Sequence, residues 1–317
     1  MLEQQQRTDA GELARKMSGL LLAELSLGVV FDRLSEVLSA FVQATTVTIV
    51  LRNPDASFLQ FRYDHGALSQ FFASELGEQE LKDTITTGTS HVSSSPALAA
   101  MPLQLADETI GAISIESEGL AEYGQEQIAM IESIVPYVAV AVRNRMLQNA
   151  VERERYRAEH DPLTGLANRL LFTDRLTQSL QRARRSQLLV GVVYADLNGF
   201  KPINDTLGHA AGDEVLRTIA RRLKEQTRAS DTVARLGGDE FAMIVEQLHN
   251  RSELEKIVQN LKNAIASPIP LHDRPVNVGV SFGCSIFPQD GGDAAALLHV
   301  ADAAMYAVKK NTRLTRR

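Results

Sequence analysis

The 317-residue chain has a single cysteine, Cys284, so no disulfide can close within it and no metal site can be built from several thiolates. A reducing compartment, the cytoplasm, is the expected setting. Long apolar runs are equally scarce. The nearest candidate, Ile134 to Val142, has half the length of a membrane helix, which needs about twenty apolar residues. The first residues, Met-Leu-Glu-Gln-Gln-Gln-Arg-Thr-Asp, lack the basic start and apolar stretch of a signal peptide, so no membrane contact is expected. A basic excess is missing too. With 33 Lys and Arg against 39 Asp and Glu, the net charge of −6 argues against nucleic acid as a partner and leaves room only for a local basic cluster that holds a small anion. What is plentiful is core-forming material: 44% hydrophobic and 23% charged residues suit two ordinary cores and exclude a disordered chain.

After a polar tail over residues 1–12, Leu13 to Val42 has apolar residues at helical spacing, and Thr46 to Leu51 and Phe58 to Tyr63 read as strands. A helix is expected around Glu78 to Thr87, then a hairpin of Ala100–Leu105 and Thr109–Ile115. A long helix from about Tyr123 carries Ile128, Ile131, Val135, Val138, Val142 and Met146 at steps of three and four, with Pro136 expected to kink it. It turns strongly charged through Glu152-Arg-Glu-Arg-Tyr-Arg157, which suits either a coiled-coil linker between two protomers or a solvated helix end. Asp161-Pro162 stops it, because the residue before proline avoids the helical region. The expected division is therefore a tail (1–12), a first domain (13–150), a helical linker (151–160) and a second domain (161–317).

In the second domain the pattern predicts a helix (Leu170–Arg184), a strand (Leu188–Asp196), helices (Lys201–Leu207 and Gly212–Gln226), strands (Thr232–Leu236 and Phe241–Glu246), a helix (Ser252–Ala266), a strand (Val276–Phe287) and a helix (Asp293–Lys309). Helices alternating with antiparallel hairpins indicate an α+β sandwich of ferredoxin-like type. Two acids stand out. Asp196 ends an apolar strand, and the paired glycines of Arg235-Leu-Gly-Gly-Asp-Glu-Phe241 make a tight turn that sets Asp239 and Glu240 at a hairpin tip. Asp196 with Asp239 supplies the carboxylate pair that a hard cation such as Mg²⁺ takes together with substrate phosphates. Taken alone, the same tetrapeptide is an ordinary turn with solvated acids.

The wider set of motifs is specific. Asp161-Pro-Leu-Thr-Gly-Leu-Ala-Asn-Arg169, Asp196-Leu-Asn-Gly-Phe-Lys-Pro-Ile-Asn-Asp205, Gly208-His-Ala-Ala-Gly-Asp213, the glycine-rich signature, Ser281-Phe-Gly283 and Ala301-Asp-Ala-Ala-Met-Tyr-Ala-Val-Lys309 occur in order, and this half resembles a GGDEF domain, the catalytic module of diguanylate cyclases. The first half, by its order of elements and by Ile110-Gly-Ala-Ile-Ser-Ile115, resembles a GAF domain, a small sensory α/β module, with a PAS-like or other sensory α/β module as the alternative.

The GGDEF resemblance implies condensation of two GTP into cyclic di-GMP by a homodimer. It implies Mg²⁺ as the ion, with Mn²⁺ the alternative, held by Asp196, the Leu197 main chain and Asp239, and it makes Asp239 and Glu240 the catalytic acids. Because neighbours on an extended strand point to opposite faces, Asp239 is favoured over Glu240 as the ligand. Asn204 and Asp213 match the guanine-binding positions, and an acid suits guanine's two donors. Phe200 and Lys201 would offer backbone donors to phosphate, with Lys309 and Arg313 as the basic pair on the last helix. Thr312 and Leu314 stand where glycine and asparagine are usual, which puts Arg313 in less secure register than Lys309. Arg228 and Asp231 match an inhibitory site for the product, where arginine grips phosphate and aspartate takes a guanine edge. The alternative is a GGDEF module that has lost catalysis and serves as a nucleotide receptor. For the GAF-like half the residues leave open a cyclic nucleotide, another small-molecule ligand, or dimerisation with no ligand.

Overall fold

The computed structural model describes residues 27–52, 57–64, 67–73, 79–94, 97–271 and 274–315. The chain divides after Val151 into two compact units. The start of the first expected helix, from Leu13, lies outside the described residues. No helix among the described residues is long and apolar enough to cross a membrane.

The first unit contains α1 (Leu27–Val42), β1 (Thr46–Arg52), β2 (Phe58–Asp64), β3 (Ala67–Ala73), α2 (Gln79–Thr87), β4 (His91–Ser93), β5 (Ala97–Leu105), β6 (Glu108–Ser117) and the start of α3 (Gln125–Glu159). Its six strands form one antiparallel sheet in the order β3-β2-β1-β6-β5-β4. Strand β1 is buried along its whole length except at Arg52, which explains why it reads as a continuous apolar run and not as an alternating one. One face packs Phe31, Leu34 and Leu38 of α1 and Ile131, Ile134, Val138 and Val142 of α3; the other takes Leu81 and Ile85 of α2. Helix α3 is assigned without a break through Pro136. Strands β3 and β4 are additions to the expected pair of hairpins.

The second unit holds α4 (Arg169–Ser186), β7 (Leu189–Asn198), α5 (Phe200–Leu207), α6 (His209–Glu225), β8 (Thr232–Gly237), β9 (Glu240–Leu248), α7 (Arg251–Ala266), the short pair β10 (Ile269–Leu271) and β11 (Arg274–Val276), β12 (Gly279–Phe287) and α8 (Ala294–Thr315). The sheet order is β12-β7-β9-β8, every pair antiparallel, so β7 and β8 run the same way with β9 between them. This split βαβ arrangement is the expected ferredoxin-like one. Residues Phe200, Ile203, Val215, Ile219, Leu254 and Leu261 cover one face of the sheet, and Phe172, Leu176, Leu180, Leu297, Ala301 and Met305 cover the other.

Three boundaries differ from the sequence reading. Helix α6 begins at His209, not Gly212, so Asp213 sits in its second turn, and no acid occupies the first turn to meet the helix dipole. Glu240 belongs to β9 and pairs across the sheet with Asp196. The single strand expected from Val276 is two, because β11 folds back on β10 before β12 starts.

Candidate active site

Asp196 lies near the C-terminal end of β7 and is 6% exposed. Alternation along β7 sends Val193, Ala195 and Leu197 towards α5–α7, and Val192 and Tyr194 towards α4 and α8. Asp196 shares the second face, where Lys309 of α8 pairs with it at 2.5 Å. That contact depends on how closely α8 lies on the sheet. A Cβ on Gly283 of β12 would come within 2.0 Å of the Ala301 carbonyl and 2.1 Å of the Met305 nitrogen, so only glycine lets the helix settle one turn before Lys309.

The β8–β9 turn brings the second acid. Gly237 and Gly238 have φ of 144° and 52°, and a Cβ on either would meet open space. Their backbone angles, not crowding, demand glycine. The turn folds back on β7, with the Leu197 N–H donating to the Asp239 carbonyl at 3.2 Å. The Asp239 carboxyl is held above the usual carboxylate range by its burial and then by the charge of Asp196, against the pull of Lys309 and Arg235. The charge of Asp196 therefore reaches the Asp239 carboxyl.

Glu240 is placed differently. The Tyr194 hydroxyl donates to its Oε2 at 2.9 Å, and the Arg169 guanidinium lies 3.6 Å from the same atom. Burial and then Glu240 push the Tyr194 hydroxyl up to about 12, so it stays a donor at neutral pH. Glu240 is thus engaged by protein partners on the α4/α8 face, whereas Asp239 stands at the tip.

Of the two positions expected to meet guanine, Asn204 lies on α5 and Asp213 on α6. Asn204 Oδ1 is buried without a hydrogen-bond partner among the described residues. It rests on Gly212, where an added Cβ would fall 1.8 Å from it. Asp213 comes next in the chain, half-buried, its carboxylate engaged in no ion pair or hydrogen bond with a described side chain. An orphaned acceptor beside a free carboxylate is an arrangement that awaits donors. Phe200 is buried against this corner and Lys201 is exposed. Arg313 lies on α8, but its side chain is outside the described residues.

Arg228 is exposed, while Asp231 is 5% exposed with both carboxylate oxygens taken: Oδ2 by the Arg228 N–H at 3.0 Å and Oδ1 by the Glu246 N–H at 3.2 Å. Asp231 closes its own turn and ties it to β9.

Sequence reasoning assigned no role to Arg235, yet it is the hub of the turn. Its Nη1 lies 3.1 Å from both oxygens of Asp161, and its Nε and Nη2 donate to the Gly238 carbonyl at 3.0 and 2.8 Å. Its own N–H donates to the Ala167 carbonyl at 2.9 Å. Burial alone would raise Asp161, but hydrogen bonds from Thr164 and Arg235 hold it below the usual carboxylate range. The opening motif and the signature are in this way one hydrogen-bonded unit.

The family model described as "Diguanylate cyclase, GGDEF domain" matches residues 158–315. This segment is a GGDEF domain. Over 199 residues the chain is 38% identical to diguanylate cyclase TpbB of Pseudomonas aeruginosa strain PAO1, covering 62% of this chain and 44% of that one. It is 31% identical over 249 residues to diguanylate cyclase DgcP of the same organism, covering 74% of this chain and 36% of that one. The chain spans less than half the length of these two curated relatives. Among solved structures, the coiled coil and GGDEF domain of DgcB from Caulobacter crescentus, in complex with c-di-GMP, is similar at a TM-score of 0.50 and 26% identity, covering 59% of this chain and 96% of that one.

The GGDEF domain's donor set fits a hard divalent cation. Among the described residues no group of three His, Cys, Asp or Glu gathers, and the residues that would hold such an ion are the expected Asp196 and Asp239. That is the short, oxygen-only set that Mg²⁺ accepts when phosphates complete it.

Proposed function

We infer that the protein is a diguanylate cyclase that joins two GTP into cyclic di-GMP and releases two pyrophosphates. The observation that carries this reading is the buried, unpartnered Asn204 acceptor beside the free Asp213 carboxylate, on the two helices next in chain after the strand whose Asp196 meets Lys309. Guanine offers N1–H and its amino group on one edge, which these acceptors suit, while adenine offers no such pair of donors there.

A divalent cation bound by Asp196 and Asp239 would supply the charge that offsets the triphosphate and the developing alkoxide. Lys309, released from Asp196, is free to meet a phosphate oxygen, with Arg313 next on the same helix and the Phe200 and Lys201 N–H groups at the start of α5. In each of two rounds a 3′-hydroxyl oxygen bonds to the α-phosphorus of the other nucleotide and the bridging α–β P–O bond breaks. Asp239, as the carboxylate, is the residue assigned to take the hydroxyl proton, and a carboxyl held above the ordinary range is the stronger base for it. Glu240 keeps its place through Tyr194 and Arg169 and sets the strand that carries Asp239.

Each GGDEF domain holds one nucleotide, so two must face each other. Helix α3 supports a homodimer. Opposite the face that packs in its own unit, Tyr137, Val140, Leu147 and Val151 are exposed at steps of three, seven and four, with Asn144 filling the remaining heptad position. A single polar residue in such a seam favours one register between two strands. The six-stranded sheet of the first unit supports a GAF-like sensory role for it. Arg228, open beside the buried Asp231 turn, supports product feedback, with the arginine as the grip.

The test is to incubate the pure chain with GTP and Mg²⁺ and analyse the products by mass spectrometry. Cyclic di-GMP is expected, with none from Asp239→Asn, and added product should inhibit the wild type but not Arg228→Ala. A confirmed dimer that binds GTP and forms no product would make it a receptor instead.

A further inference from the structure

We propose that Asn198 and Ser281 form a positioning pair that sets the backbone donors at the start of α5 for the phosphate tail of the nucleotide, an inference that rests on the cyclase reading. Asn198 is the last residue of β7, two beyond Asp196, and lies directly opposite Gly279 of β12. With no side chain across from it, its amide turns diagonally to Ser281, whose hydroxyl lies 3.0 Å from Nδ2 and 3.1 Å from Oδ1. Ser281 is 0% exposed and sits opposite Asp196 in register. By alternation Asp196, Asn198 and Ser281 share one face, the face that Lys309 meets.

The residue after Asn198 makes this pair more than a strand tie. Gly199 has a φ of 80°, and a Cβ there would meet open space. No side chain crowds that residue, so its path is fixed by whatever grips its two ends. Downstream the grip is Phe200, buried in the core beside Gly212. Upstream it is the Asn198–Ser281 pair. A buried hydroxyl left unpaired is costly, so Ser281 holds the amide as firmly as the amide holds it. The donors at Phe200 and Lys201 are then aimed before substrate arrives, which cuts the ordering cost of binding the phosphate tail.

The experiment uses the full chain as wild type, Ser281→Ala, Asn198→Ala and the double variant, and titrates each with Mg²⁺ and a GTP analogue bearing an α,β-methylene bridge, and separately with guanosine. Ser281→Ala removes one oxygen and keeps the volume, so the fold persists even where Asn198→Ala loosens it. Each single variant should bind the triphosphate about fivefold more weakly, as loss of one net hydrogen bond implies, with guanosine within about twofold. The double variant should be no worse than either single one. KM for GTP should rise by the same factor while kcat stays within about twofold. Equal weakening of both ligands, or unchanged triphosphate affinity, overturns the proposal. Because these readouts are binding constants, a wild type that binds the analogue and makes no cyclic di-GMP sinks the cyclase reading alone.

Discussion

Asp239 has a cost beside its proposed role. Burial and the neighbouring Asp196 hold its carboxyl above the ordinary range, so the folded chain disfavours an anion that the unfolded chain tolerates. Its favourable share is present at low pH and is lost as pH rises through the raised folded value. Asp239→Asn should therefore melt a few degrees higher than wild type at pH 7 without metal, on the order expected for relief of one unfavourable charge. Towards pH 4 the gain should shrink, since the wild-type acid takes up its proton as pH falls through its raised folded value. Added Mg²⁺ should raise the melting temperature of the wild type and not of the variant, because only the wild type retains both ligands. Scanning calorimetry at the two pH values checks all three statements; a variant that melts lower throughout would show that Asp239 stabilises the turn.

Among the elements, the β8–β9 turn and the opening motif stand or fall together through Arg235. Lysine is a single point donor and cannot reach both Asp161 and the Gly238 carbonyl. Arg235→Lys should lower stability by about 2 kcal/mol, typical of lost hydrogen bonds to a charged group, measured by urea unfolding. The loss should narrow as pH falls through the depressed folded value of Asp161, where that carboxylate stops pairing. The loss of activity should exceed the loss of fold. Such ties explain what the sequence could and could not tell. Asp196, Asn204, Asp213, Asp239 and Lys309 were singled out as candidates because their motifs are local strings in chain order. Arg235 with Asp161, 74 residues apart, and Asn198 with Ser281, 83 apart, depend on the register of strands, which no local pattern states. Strands β4, β10 and β11 have three residues each and owe their existence to a partner, so no periodicity marks them. The start of α6 was misplaced because His209 and Ala210 are exposed and carry no apolar signal.

At the scale of the molecule, the proposed reaction needs two copies, and α3 carries the face that would join them. Leu147→Glu with Val151→Glu should turn a dimer into a monomer by light scattering and lower turnover at least tenfold at micromolar protein, as charges placed in a two-stranded seam require. Retained dimerisation would move the seam elsewhere. Deleting residues 1–150 should likewise reduce turnover, and an unchanged rate would remove the first unit from control of the second. The stiffness of the turn has a further consequence. Clamped by Arg235 from below and seated by Gly283 under α8, each half-site arrives already shaped, so little inside it is left for a signal to adjust. What can be adjusted is encounter. Such an enzyme behaves like a key cut in two, and anything that tethers the halves, an artificial zipper or a crowded scaffold, should stand in for the natural stimulus.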